Sequence, residues 1–146
     1  MTRNDPLRFA ALTWKNLEFI EQAAHHNPDV HAITQLALSL LGLIVLQHQN
    51  HAKFDNKLRA TKLADLNWPC WEPPPPGHKT GTLGGLIERL RHVIAHGGIT
   101  FSSDGADPHE TMLIFHDTKA KWRGTISAAD LREFCYRFKT FLEEHS

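Results

Sequence analysis

The stretch LALSLLGLIVL, residues 36–46, constrains what this chain can fold into more than any other feature. It reads as the centre of a helix with almost no polar side, because apolar residues recur at nearly every azimuth of the 3.6-residue period. A helix of that kind has to be covered all round, in a core or partly against a second subunit, so the rest of the sequence must supply its walls. Gly42 in its middle lowers helix propensity, and the usual reason for such a glycine is the close approach of a neighbouring helix. The run is far shorter than the roughly 20 apolar residues that cross a bilayer, which makes it a buried helix and not a membrane span. At 146 residues the chain suits one domain, spanning 1–146, with a single real core.

The walls are legible as further helices. Residues 7–25 place Phe9, Leu12, Leu17, Ile20 and Ala24 near the helical period with charges between them. Asn27, Pro28 and Asp29 break the chain, and Asp29 is the expected N-cap of the apolar helix, which runs to about residue 50. Residues 82–96 form a third helix, with Leu83, Leu86, Ile87, Leu90, Val93 and Ile94 on one stripe and Gly97 and Gly98 as a left-handed stop. Ser127 to Asp130 resembles a capping box opening a last helix, whose apolar face is Leu131, Phe134, Cys135, Phe138, Phe141 and Leu142.

Two segments break the helical pattern. Residues 52–80 contain NWPCWEPPPPGHKTG, whose consecutive prolines remove backbone donors and favour extended geometry, so this region is expected to be a long Pro-rich loop. It is either functional or a strap packing Trp68 and Trp71 over the core. Residues 98–126 hold ITF, TMLIF and KWRGTI, three short strand-like runs separated by turn residues. The expected fold is mainly α: an up-and-down bundle of four helices with a small β-hairpin or meander inserted before the last.

Lys and Arg together equal Asp and Glu together, at 16 each, so no global basic field attracts polyanions and any such binding needs a local patch. Cys70 and Cys135 make neither a CxxC metal pattern nor a disulfide framework, and the N-terminal MTRNDPLRF lacks an apolar signal core. A soluble, cytoplasmic protein with no membrane partner and no cofactor is expected.

The polar side of the third helix carries the candidate chemistry. With Leu90 as origin, Arg91 projects near 100°, His92 near 200° and His96 near 240°, all off the apolar stripe. The two histidines lie almost in line, one turn apart. Arg91 sits about 140° from His96, so the two meet over one ligand only if this face lines a groove, such as one closed by a symmetry-related copy of the helix. His96 also stands where the helix macrodipole favours a protonated ring. In a chain with eleven histidines an Arg–His spacing arises by chance and decides nothing alone. Two other readings stay open. His92 and His96 at i and i+4 could ligate a metal, although HVIAH lacks the Glu of a zincin motif and a third ligand. Both could also be surface histidines without a role.

The residues LRHVIAHGGITF, 90–101, resemble the signature of HEPN domains (higher eukaryotes and prokaryotes nucleotide-binding). The ribonuclease branch of that family has an Arg, a polar residue directly after it, and a His four to six residues from the Arg near a helix C-terminus, commonly followed by Gly. Arg91, His92 and His96 fit that pattern residue by residue, with His92 standing where Asn is commoner. LLGLIVL and the insert from GITFSSD to SAADLREF are similar to the second helix, the strands and the last helix of the plasmid- and defence-associated branch. The likeness therefore runs over roughly residues 8–145. QHQNH departs from the Pro and acidic residue that often follow the second helix there.

This resemblance implies a metal-independent endoribonuclease that works as a homodimer, attacks with the RNA's own 2′-hydroxyl and leaves a 2′,3′-cyclic phosphate. It casts His96 as general acid or base, Arg91 as the clamp on the phosphate, and His92 as a positioning or second acid–base group. An antitoxin or other regulatory partner is implied if the protein is a toxin. The alternative is a noncatalytic HEPN module that binds a nucleotide, RNA or a partner protein. Lys119, Lys121 and Arg123 around Trp122 form a basic cluster with an aromatic that suits RNA binding, set against the reading of a solvated turn with one buried Trp.

Overall fold

The computed structural model describes residues 5–48, 52–76, 81–103, 105 and 107–145. Four long helices are present, α1 (Asp5–Ala24), α2 (Ala32–His48), α5 (Leu83–Ala95) and α6 (Ala128–Glu144), with two short ones, α3 (Ala52–Ala60) and α4 (Leu63–Leu66). Strands β1 (Ile99–Phe101), β2 (Met112–Asp117) and β3 (Trp122–Ser127) form one antiparallel meander, in that order, between α5 and α6. The mainly helical fold with a β insert before the last helix is the one expected.

α1 and α2 make a helical hairpin against which α5 and α6 pack. Asp29 does not cap α2. The helix begins only at Ala32, and the Asp29 N–H donates to Asn27 Oδ1 at 2.9 Å, so these residues make a local Asx turn instead. Leu36, Leu40 and Leu43 are buried in the core, but Leu38 is 55% exposed, so one chain does not cover α2 all round. Gly42 lies beside Phe9 and Thr13 of α1, yet a Cβ there would meet them at an ordinary 3.6 Å, so this crossing does not require glycine.

The expected 52–80 loop is corrected at its first half, which contains α3 and α4. α3 is mostly polar, and Leu58 is its buried residue on the described part of the helix. It packs on α5, where Gly84 matters: a Cβ would stand 3.0 Å from the Arg59 backbone nitrogen. Asn67, in the left-handed region at φ 56°, ends α4. The irregular part is 67–76, and residues 77–80 lie outside those described.

The prolines that follow hold a strap. Trp71 is fully buried, with its ring edge-on to Phe115 and Phe134 at 5.2 and 5.1 Å between centroids. Glu72 exchanges two 2.9 Å backbone hydrogen bonds with Thr125, adding one residue of extended chain to the outer edge of β3.

α6 closes the bundle. Ser127 Oγ accepts from the Asp130 N–H at 3.1 Å, and all six expected apolar positions are buried. Each Leu or Phe so covered contributes about 1.5–3 kcal/mol. Cys70 and Cys135 are free thiols, and burial pushes the Cys135 thiol up to about 12, which leaves it inert. Among the described residues no helix is long and apolar enough to cross a membrane.

Candidate functional site

α5 starts at Thr82, whose Oγ1 accepts from the Gly85 N–H at 3.1 Å. Its stripe of Leu83, Leu86, Ile87, Leu90 and Val93 is buried, which fixes the helix azimuth and therefore the direction of every polar residue on it. At the far end Gly97 takes φ 67°, its N–H bonds the Ile94 carbonyl at 3.1 Å, and the Gly98 N–H bonds the Val93 carbonyl at 2.9 Å. These two bonds are a Schellman stop, and the left-handed backbone explains the first glycine. The second glycine has a different cause. A Cβ at Gly98 would overlap the carbonyl oxygen of His116, because β2 comes directly against the helix end there.

His92 and His96 are both exposed on the last turn, and His96 is the C-cap residue. Arg91 is half-buried on the other flank, with its Nε shut off from solvent and without a hydrogen-bond partner. Among the described residues no ion pair or hydrogen bond involves the Arg91 guanidinium, and nothing links it to His96. The separation expected from the helical period is thus present within one chain.

Arg89, two residues before Arg91, likewise has a buried Nε without a partner, but its terminal nitrogen is engaged. It donates to Asp117 Oδ2 at 2.8 Å, while Asp117 Oδ1 accepts from the backbone N–H groups of Lys119 at 3.0 Å and Ala120 at 3.2 Å. Burial works against the charged carboxylate, but these hydrogen bonds, led by the one from Arg89, outweigh it and hold Asp117 below the usual carboxylate range. One carboxylate therefore ties the β2–β3 turn to the motif helix.

That turn carries the basic cluster. Lys119, Lys121 and Arg123 are exposed, with Lys121 in the left-handed region at φ 52°. Trp122 is not available to stack a base: it is 4% exposed and its Nε1 donates to the Pro73 carbonyl at 2.9 Å. Trp122, Gly124 and Ile126 face inward on β3, and Gly124 leaves room for the indole of Trp122. Alternation in WRGTIS was the available signal for that direction.

Asp117 and His116 carry no signal in the sequence that marks them as site residues, and Arg89 shares only a chance spacing to His96. The inward pair of Leu113 and Phe115 would have set His116 outward by the same period of two. The Arg89–Asp117 pair spans 28 residues and left no local trace.

A metal at His92 and His96 finds no support. Among the described residues no group of three or more His, Cys, Asp or Glu could hold an ion. A cleft of about 560 Å³ lies between α3–α4 and α6, and one of about 880 Å³ lies where the α1–α2 turn meets the start of α6, but Arg91, His92 and His96 line neither. What α5 presents is an open surface with two imidazoles and an unpaired guanidinium at its borders. Such a set can exchange protons and bind an oxyanion.

In comparison with known families, the model described as HEPN pEK499 p136 matches the chain over residues 2–146. Comparisons with curated proteins and with solved structures give no match.

Proposed function

Because the chain belongs to a HEPN family, the one described as HEPN pEK499 p136, we propose that it is a metal-independent endoribonuclease whose active site is the exposed end of α5. The observation that carries this reading is that Arg91, whose guanidinium makes no ion pair among the described residues, stands on the helix end that also exposes His92 and His96, whereas Arg89 of the same helix is engaged through Nη1 by Asp117. A guanidinium without an ion pair beside two exposed imidazoles leaves all three groups open to a ligand.

The residue types match the steps. A base takes the proton of the RNA 2′-hydroxyl, and the oxygen forms a bond to its own phosphorus. The P–O5′ bond then breaks, and an acid returns a proton to the departing 5′-oxygen. The products are a 2′,3′-cyclic phosphate and a 5′-hydroxyl. Imidazole titrates near enough to neutrality for either proton transfer, which assigns His96 to one of them and His92 to positioning or to the other. Arg91 binds the extra negative charge of the phosphorane through its fork and cannot lose its own charge. Two α5 helices facing across a twofold axis would bring Arg91 of one to His96 of the other, so the active form is a homodimer. Leu38, exposed in one chain, is consistent with a second copy. Toxin action, with an antitoxin covering this face, is the corresponding biological role.

The separation of Arg91 from His96 in one chain favours a second reading, a noncatalytic HEPN module that binds a nucleotide, RNA or a protein. Incubation of a mixed-sequence RNA with the purified chain in EDTA distinguishes the two. The account expects cutting that leaves cyclic phosphate ends and falls 10²- to 10³-fold in Arg91→Ala. Absence of cutting by folded wild-type dimer would leave the binding module.

A further inference from the structure

The strands after α5 carry a basic pair that the motif does not include. His116 and Arg123 are register partners across β2 and β3, and both are exposed. Directly opposite residues of an antiparallel pair project from the same face. Their chain neighbours Phe115 and Trp122 are buried on the other face, which fixes the direction.

Three constraints set this pair at the end of the motif helix. The His116 N–H donates to the Gly98 carbonyl at 2.8 Å, two residues beyond His96. No side chain fits at Gly98, so β2 cannot be held off the helix end by a residue there. Asp117, the next residue, joins Arg89 of α5 to the turn that carries Lys119 and Lys121. None of these constraints uses the side chains of His116 or Arg123. Among the described residues those two side chains enter no hydrogen bond or ion pair.

Charge reinforces the placement. In a chain with equal acids and bases, one end gathers Lys119, Lys121, Arg123, His116, His92 and His96 on exposed positions. The acids near them are Glu72, opposite Thr125 on the same sheet face, and Glu88 on α5; Asp117 is already engaged by Arg89. The local excess is basic, and its strands are bonded to the chain directly after the motif helix through the His116–Gly98 hydrogen bond.

We propose that His116 and Arg123 form a phosphate subsite for single-stranded RNA, holding backbone that flanks the bond cut at α5; this rests on the ribonuclease reading. The guanidinium fork takes two phosphate oxygens and the imidazole adds one N–H donor. Single strands fit because the 2′-oxygen must swing in line with its own phosphorus, which a regular duplex does not permit, and because a pair of residues on an open sheet offers one contact rather than the long span a duplex needs.

The test is binding of a mixed-sequence RNA made uncleavable by 2′-O-methyl groups, followed by fluorescence anisotropy over a series of salt concentrations. Each phosphate contact contributes about 0.7 to the slope of log affinity against log salt for a single strand. Arg123→Ala is expected to reduce that slope by about this amount, and Arg123→Lys to keep the slope. His116→Ala is expected to weaken binding severalfold, with His116→Gln recovering part of the loss. A residue that only supports the fold would not move the salt slope. Unchanged slope and affinity in Arg123→Ala and His116→Ala would overturn the subsite while a wild type that still cuts RNA keeps the ribonuclease reading. A wild type that neither binds nor cuts RNA would overturn both.

Discussion

Along α6 every arginine is answered: Arg132 forks onto Glu21 of α1 at 2.6 and 3.0 Å, and Arg137 reaches Glu133 at 2.7 Å. Along the last turn of α5, Arg91, His92 and His96 meet no such partner among the described residues, and Nε of Arg91, like that of Arg89, is buried without one. The apolar faces of the two helices are equally well covered, and both are capped at the N-terminus by a hydroxyl. Stability therefore does not explain the difference. The polar face of α6 is closed by ion pairs within the chain, and the end of α5 is left open to solvent, which is the difference the proposed ribonuclease site builds on.

Disrupting the closed helix has the largest effect on stability. Phe134 of α6 is fully buried against Trp68, Trp71 and Phe138, and Phe134→Ala is expected to cost about 3–5 kcal/mol in denaturant unfolding. A loss below about 1 kcal/mol would mean that the aromatic cluster does not hold α6 as described.

A smaller loss is expected where α5 is satisfied. Asp117→Asn removes the charge that Arg89 meets, in a pair whose side chains are 27% and 12% exposed, and costs about 1–2 kcal/mol near neutral pH. The sign with pH follows from the lowered carboxyl of Asp117. A group held below its unfolded value stabilises above that value, about 3.9, and loses the contribution as pH falls through the folded one. The gap between wild type and Asp117→Asn should stay constant down to about pH 4 and narrow below it. A gap that widens in acid would contradict the role given to Arg89.

What the sequence made legible followed from period and caps. α5 and α6 each place their buried residues at helical spacing, and the double glycine after His96 marks the stop. α3 was hidden because AKFDNKLRA is mostly polar; its place comes from packing on Gly84, a tertiary cause. Of the two readings open for Trp122, the structure takes the buried one, as the alternation of WRGTIS allows, while the basic residues around it stay exposed. Arg91, His92 and His96 could be placed by azimuth, but the clamp that sets β2 beside them depends on a pairing of distant residues that no local pattern announces. α2 shows the opposite limit: its all-round apolarity was plain, yet Leu38 finds no cover within one chain.

The smallest expected change in stability belongs to the residue on which function most depends. His96 is exposed at the end of α5, so His96→Ala should melt within about 0.5 kcal/mol of wild type. Measured on the same preparation in EDTA, its RNA cleavage should fall 10²- to 10⁴-fold. Unchanged stability with cleavage lost is the predicted result. Cleavage that persists at the wild-type rate in a folded His96→Ala protein would contradict the assignment of the α5 face as the active site.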